Sequence, residues 1–501
     1  MFKIFDDYYQ RGVFLGLIVA IWFCAFARLA HDLWAASLFF FWVSLLSFIF
    51  CVGRCRDKTP LKLPMLLPAL LLILSSFLSA FASYDVSSTL SATWTQLFMF
   101  LSFYLFTNVV QTARDRESFF ALSGVVILPL AAICLYEQWT GRPDPYGYGY
   151  WEIHATLINS IVMAGFCLPW IFFYGTKMLK RPRYILLFIG GVIVLGIARS
   201  WWAYFSLLAG LLYYFKNRLS EVFACYKMTA MITAVICSAG LIMIILLRIQ
   251  VHRYPYIGSG RLFYWMSALN LWRHHAWTGV GLGAYATAYP YFKTGPIQST
   301  LFAHSFPLQI LAETGSLGFC VAIYFVIRYV SLLSKNIKSP QSSDDQQLYK
   351  AILICLVCFS LVNINMEYLL NRLIFLFILG STLINHPIPA YRIKPLWIMT
   401  GGICLVLVMP LWLSFFEASR LYAAGIQYEK TGDLSRARKL YLDAISLDRF
   451  NGDSYRAISR IDWKTYQQTH DRRALVNTLY YFRQAMRYKK EVAPLPQLSH
   501  P

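Results

Sequence analysis

The chain has 501 residues, of which 58% are hydrophobic and only 14% charged. No soluble fold of this size can bury that much apolar surface, whereas a polytopic membrane protein presents it to lipid. Lys and Arg number 45 against 24 Asp and Glu, a net charge of +21. In a soluble chain that balance would suggest nucleic acid. Here most of the basic residues lie in short loops between apolar runs, where they set orientation and meet anionic headgroups, so a nucleic-acid partner is excluded.

The first apolar run, Val13–Ala30, is of spanning length and reads as an uncleaved signal anchor. Further runs fall near 33–52, 63–82, 91–109, 117–137, 157–174, 184–198, 200–215 and 228–247. After a long loop they resume near 314–332, 349–366, 370–386 and 395–416, giving about 12–13 transmembrane helices at roughly 20 residues each. Loops 53–62, 175–183, 216–227 and 386–394 carry Lys and Arg, while 83–90 has none and 138–156 only Arg142. With the N-terminus cytoplasmic, the basic loops fall on the cytoplasmic side. The C-terminal tail is then periplasmic. The 11 cysteines sit almost entirely in apolar runs or cytoplasmic loops, so no disulfide framework is expected, and Cys355 and Cys358 read as packing residues.

Between Arg248 and Ala312 the chain holds Arg248, Arg253, Arg261, Arg273 and Lys293 and no Asp or Glu. The topology puts this loop on the face from which the positive-inside rule removes cations. A polyanion at the outer membrane surface, such as a lipid-linked diphosphate, gives the cations a purpose. Within the loop, Gly258-Ser-Gly-Arg261 reads as a tight turn opening a helix, whose free backbone N–H groups suit phosphate, with the Arg261 fork beside them. Arg199, in Ala198-Arg-Ser-Trp-Trp between two apolar runs, reads as a cation at the edge of a cavity or a snorkelling residue. His304 leads from the loop into the next span, with Glu313 at the re-entry point; a neutral imidazole beside cations can take a proton from a hydroxyl. Because no carboxylate stands among His252, His274, His275 and His304, they do not read as a metal set, and His274 and His275 read as facing headgroups. The loop's aromatic residues, Tyr264, Trp265, Trp277, Tyr285 and Tyr289 among them, suit either sugar stacking or an interfacial belt. The stretch Gly141–Trp151 reads as a flexible lid, and Glu367 and Arg372 as an ion pair.

From about Glu417 the composition turns charged and helical. Gly425, Tyr428, Gly432, Ala437, Tyr441 and Ala444 sit at the offsets of one tetratricopeptide repeat, a fold that binds partners in its concave groove, and Ala474 and Ala485 loosely repeat it. The expected organisation is N-terminal spans over 1–247, a large periplasmic catalytic loop over 248–313, C-terminal spans over 314–416 and a helical domain over 417–501.

Three segments together resemble the O-antigen ligase and polymerase family of bacterial inner-membrane glycan transferases, which includes protein O-oligosaccharyltransferases. They are Ser259-Gly-Arg, Trp277-Thr-Gly-Val-Gly-Leu-Gly, and Ala303-His-Ser-Phe-Pro-Leu-Gln-Ile-Leu-Ala-Glu-Thr-Gly-Ser-Leu-Gly. Ala198-Arg-Ser and Met366-Glu-Tyr-Leu-Leu are similar to further family motifs. The resemblance implies an all-α polytopic enzyme that moves a glycan from a polyprenyl (undecaprenyl) diphosphate to an acceptor hydroxyl of lipid A core, glycan or protein. It implies that Arg199 and Arg261 hold the diphosphate and that His304 activates the acceptor. Arg253, in the same acid-free loop, is a further candidate for the diphosphate, and with no acidic cluster in that loop no metal or cofactor is expected. Two other classes, a flippase for lipid-linked oligosaccharide and a non-catalytic assembly scaffold, fit the concentration of charge in one outer loop less well.

Overall fold

The computed structural model describes residues 8–27, 33–140, 157, 159–217, 256–295, 300–334, 343–384, 386–391 and 395–490, with 33–34, 256–260, 343–344 and 395–412 described by their main chain only. The segments expected as a lid, 141–151, and as a span, 228–247, lie outside the described residues, and so does Arg253.

The protein is an all-α polytopic membrane protein. Helices α1 (Tyr8–Phe26), α2 (Leu33–Arg56), α3 (Leu66–Ser79), α4 (Val86–Val109), α5 (Ala113–Ser123), α6 (Ile127–Thr140), α7 (Ser160–Lys177), α8 (Ile185–Ala198) and α9 (Trp201–Tyr214) precede the large loop. Within the loop lie α10 (Tyr256–His274) and α11 (Tyr285–Phe292). The chain continues through α12 (Phe306–Ser334), α13 (Ser343–Leu361), α14 (Leu369–Leu383) and α15 (Pro395–Lys430), and ends with α16 (Leu434–Leu447), α17 (Gly452–Thr469) and α18 (Arg472–Tyr488). Among the described residues, five stretches are long and apolar enough to cross a membrane: 8–26, 35–56, 113–140, 160–177 and 306–334. The shorter apolar helix α3 leaves Leu67, Leu70 and Leu74 exposed, as expected where the surrounding solvent is lipid.

Contacts between loops sort into two ends. At one end β1 (Leu61–Lys62) pairs antiparallel with β2 (Ala390–Tyr391), joining two of the basic loops. Lys62 and Asn108 exchange hydrogen bonds of 2.8 and 2.7 Å there. Lys177 pairs with Asp345 at 2.8 Å, Arg181 pairs with Glu117, and buried Arg116 donates to the Ser381 carbonyl at 2.8 Å. Gln346 bonds the Ile384 carbonyl at 3.3 Å, tying this cluster to the β1–β2 end. At the other end lie the loop after α3, the start of α9, the large loop, the α13–α14 break and the C-terminal helices.

Helix α15 is continuous from Pro395 to Lys430, so the expected last span and the first helix of the C-terminal domain are one rod. Its C-terminal part pairs with α16. A Cβ on Gly425 would overlap the Tyr441 ring, and Ala437, Tyr441 and Ala444 are fully buried, so the small residues lie where the two helices cross. Gly432 makes the turn at φ +85°. Helices α17 and α18 form a second hairpin that buries Ala474, Thr478 and Ala485. This domain sits on the start of α4 and the residues before it: Ser87 donates to Asp448 at 2.7 Å, Lys489 reaches Asp85 at 3.5 Å, and the Lys490 amide donates to the Tyr84 carbonyl at 2.7 Å.

Candidate active site

The large loop is anchored by a glycine clasp. Helix α12 begins at Phe306, eight residues before the expected span start, and breaks at Gly315, where φ is 64° and ψ −167°. The break frees the carbonyls of Ala312 and Glu313, which accept from the Val280 and Gly281 amides at 3.1 and 2.9 Å. The Ser316 and Leu317 amides in turn donate to the Ala276 and Trp277 carbonyls at 2.7 and 3.2 Å. Backbone groups that a kinked helix would leave unpaired are thus satisfied by the loop. The contact requires glycine on both sides. A Cβ on Gly279 would overlap the Glu313 carbonyl, and one on Gly315 the Trp277 carbonyl; both residues also have positive φ. The loop docks further on the α3–α4 connection, through Tyr84 N to the Val280 carbonyl at 2.9 Å and Leu282 N to Ser79 Oγ at 3.2 Å.

On this frame α10 presents Arg261, Tyr264 and Trp265, spaced i, i+3 and i+4 on one helix face. Tyr264 stacks on the His304 imidazole, centroids 5.1 Å apart and planes 19° apart. Trp265 Nε1 donates to the His304 carbonyl at 3.4 Å. His304 stands in the left-handed region at φ +54°, two residues before α12. The buried Gln309 side chain accepts the Ala303 amide at 2.7 Å and holds that turn. Gln309 also donates to Glu313 at 2.8 Å, and the Tyr285 amide approaches the same carboxylate oxygen at 3.3 Å, so Glu313 is occupied in holding the loop.

Arg261 Nη2 donates to Asn363 Oδ1 at 2.9 Å, in the break between α13 and α14. Its guanidinium lies 5.5 Å from the centroid of the Trp202 ring at the start of α9. Burial strips hydration from the Arg261 guanidinium and so lowers its pKa from the ordinary value. Burial, with the Arg261 charge second, holds His304 down at about 4, against an ordinary 6.5. The imidazole is therefore neutral at pH 7. Arg261 Nη1 and His304 Nδ1 are both buried without a hydrogen-bond partner among the described residues. Arg199 is exposed at the C-cap of α8, with φ +48°, three residues before Trp202. The structure thus brings Arg261 and His304 together and puts Arg199 at the same end of the molecule, beside the α9 turn that carries Trp202.

Several expectations change. Gly258-Ser-Gly is not a turn: α10 already runs from Tyr256, so those glycines are helical and Arg261 lies in the second turn. His275 does not face headgroups. Its Nε2 meets the Tyr84 hydroxyl at 3.0 Å and its ring packs edge-on against Phe292. Tyr285 and Tyr289 are buried in the loop's own core, so they are packing residues, while Trp277 remains exposed. Glu367 and Arg372 do pair, at 3.7 Å, and Arg372 Nε also donates to the Met366 carbonyl at 2.7 Å. Sequence reasoning missed Asn363 and Gln309. The one signal for Asn363 was an asparagine inside the expected span 349–366, where a bare amide is costly. Among the described residues, no group of three or more His, Cys, Asp or Glu converges on a metal-sized site.

A search among curated proteins returns no match. A family model described as O-Antigen ligase matches residues 184–323, a stretch that holds Arg199, Arg261, His304 and both halves of the glycine clasp. Over that stretch the chain matches the O-antigen ligase family, and the match supports a glycan-transfer role in a multi-pass membrane protein.

Proposed function

We propose that this protein is a glycosyltransferase of the bacterial inner membrane that moves a glycan en bloc from a polyprenyl diphosphate to an acceptor hydroxyl on the periplasmic face. The N-terminus is cytoplasmic, and the large loop and the C-terminal helical domain are periplasmic, in keeping with their shared end of the molecule. The observation that carries the reading is the pair of buried, unpartnered atoms, Arg261 Nη1 and His304 Nδ1, on adjacent side chains. Leaving one such group unpaired costs about 1–3 kcal/mol. Keeping two in one place makes sense if substrate completes them.

Arg261, held from below by Trp202 and from the side by Asn363, offers its free Nη1 to the diphosphate, and Arg199 stands at the rim of the same end. A close cation–phosphate pair gains on the order of 4 kcal/mol at an effective dielectric near 20, before desolvation. The gain grows as negative charge builds on the leaving oxygen, so it lowers the barrier. Neutral His304 accepts the acceptor's proton as its oxygen bonds to the anomeric carbon and the bond to the diphosphate oxygen breaks. The diphosphate departs as a stabilised anion, so no acid is needed on the leaving side. The two helical hairpins of the C-terminal domain form a tetratricopeptide-like module for a protein partner. Transfer of a lipid-linked glycan by the purified protein, compared with Arg261→Ala and His304→Ala, tests the reading; normal turnover in both variants removes it.

A further inference from the structure

Asn363 is 1% exposed, lies in the break between α13 and α14, and meets Arg261 there. A guanidinium only donates hydrogen bonds, so the atom that meets it at 2.9 Å must be the amide oxygen. That contact fixes the orientation of the carboxamide, and Nδ2 with its two N–H groups points the other way. Nδ2 is buried and has no acceptor among the described residues. A residue that served only to prop Arg261 would need an acceptor and nothing more, and an aspartate would serve as well. The buried amide N–H groups are an added cost with no return inside the protein.

We propose that Asn363 is a substrate-binding residue, whose Nδ2–H donates to an oxygen of the lipid diphosphate while its Oδ1 orients Arg261. The inference rests on the transferase reading above. One side chain then does two tasks: it spends its acceptor on the cation and its donor on the anion that the cation binds. A neutral donor suits this position, since it adds a hydrogen bond to phosphate without adding a second buried charge next to Arg261.

Asn363→Asp separates the tasks. It keeps the acceptor for Arg261, and even strengthens that contact, but removes the N–H and turns a carboxylate toward the phosphate. The experiment measures binding of undecaprenyl diphosphate to the full-length protein in nanodiscs, for wild type, Asn363→Asp, Asn363→Ala and Arg261→Ala, with the melting temperature of each recorded in the same discs. The expected result is a dissociation constant raised at least tenfold in Asn363→Asp, and raised also in Asn363→Ala, whose side chain carries no charge to destabilise the fold. Wild-type affinity in Asn363→Asp with loss in Arg261→Ala would overturn the proposal, making Asn363 a prop, and leave the transferase reading standing. Equal binding by all four proteins, or none by wild type, would overturn both.

Discussion

The acid limb of the pH–rate profile should lie near pH 4, well below that of an ordinary histidine enzyme. Burial first, and the Arg261 charge second, hold His304 at about 4 against an ordinary 6.5. That lowering corresponds to roughly 3 kcal/mol in favour of the neutral imidazole, at about 1.4 kcal/mol per pH unit. The base is active when neutral, so kcat/KM should be level from pH 8 down to about 5 and fall as pH drops through about 4. The donor, a diphosphate diester, stays ionised across this range and adds no limb of its own. Arg261→Gln removes the neighbouring charge and should move the limb upward, while Arg261→Lys keeps a charge and should leave it nearer its place. Single-turnover transfer in proteoliposomes, with enzyme in excess so that slow variants are readable, gives the profile for all three. A wild-type limb between pH 6 and 7, or an Arg261→Gln limb that does not move, would refute the argument that His304 is a buried base under the influence of Arg261. The same pKa gives a stability effect of matching sign. An imidazole lowered in the folded state costs stability as pH falls below 6.5, by up to roughly 3 kcal/mol below pH 4. His304→Asn should flatten that part of a thermal-melting curve against pH.

Other consequences are as direct. Arg261→Lys should retain lipid-diphosphate binding better than Arg261→Ala yet still lose about tenfold or more in kcat/KM, since an ammonium cannot bond Asn363 and the phosphate as a fixed fork; steady-state transfer rates measure it. Gly279→Ala and Gly315→Ala should each destabilise the loop by more than the about 1–2 kcal/mol of a left-handed alanine, because each new Cβ overlaps a partner carbonyl; a melting temperature unchanged in both would contradict the clasp. Lys489→Ala leaves Asp85, 7% exposed, without its cation and should loosen the C-terminal domain by about 1–3 kcal/mol, read as faster limited proteolysis after residue 417.

Much of the architecture was legible because a membrane imposes simple rules on sequence. Apolar runs marked the helices, and loop charge paired 53–62 with 386–394 before β1 and β2 showed them hydrogen-bonded. Arg261 and His304 were legible as types: cations without acids, and an imidazole beside them. What could not be read was reciprocity between distant segments. Gly279 and Gly315 make sense only against each other, and each alone looks like a loop glycine. Asn363 joins Arg261 across 102 residues and lies in a break between helices, where no periodicity singles it out. His275 read as a headgroup contact because its partner, Tyr84, is 191 residues away. The Gly258-Ser-Gly turn failed for a local reason. Glycine permits a turn without demanding one, and the first turn of α10 forms regardless.

The most direct test is transfer of a polyprenyl-diphosphate-linked glycan by the purified full-length protein in liposomes, comparing wild type with Arg261→Ala, His304→Ala and the double variant. Residues that act as one unit on one substrate should each lower the rate by about a hundredfold or more, and the double variant should be little worse than the slower single one. Losses that simply multiply would mean that the two residues act independently rather than on one transition state, and wild-type rates in either single variant would contradict a shared transfer site.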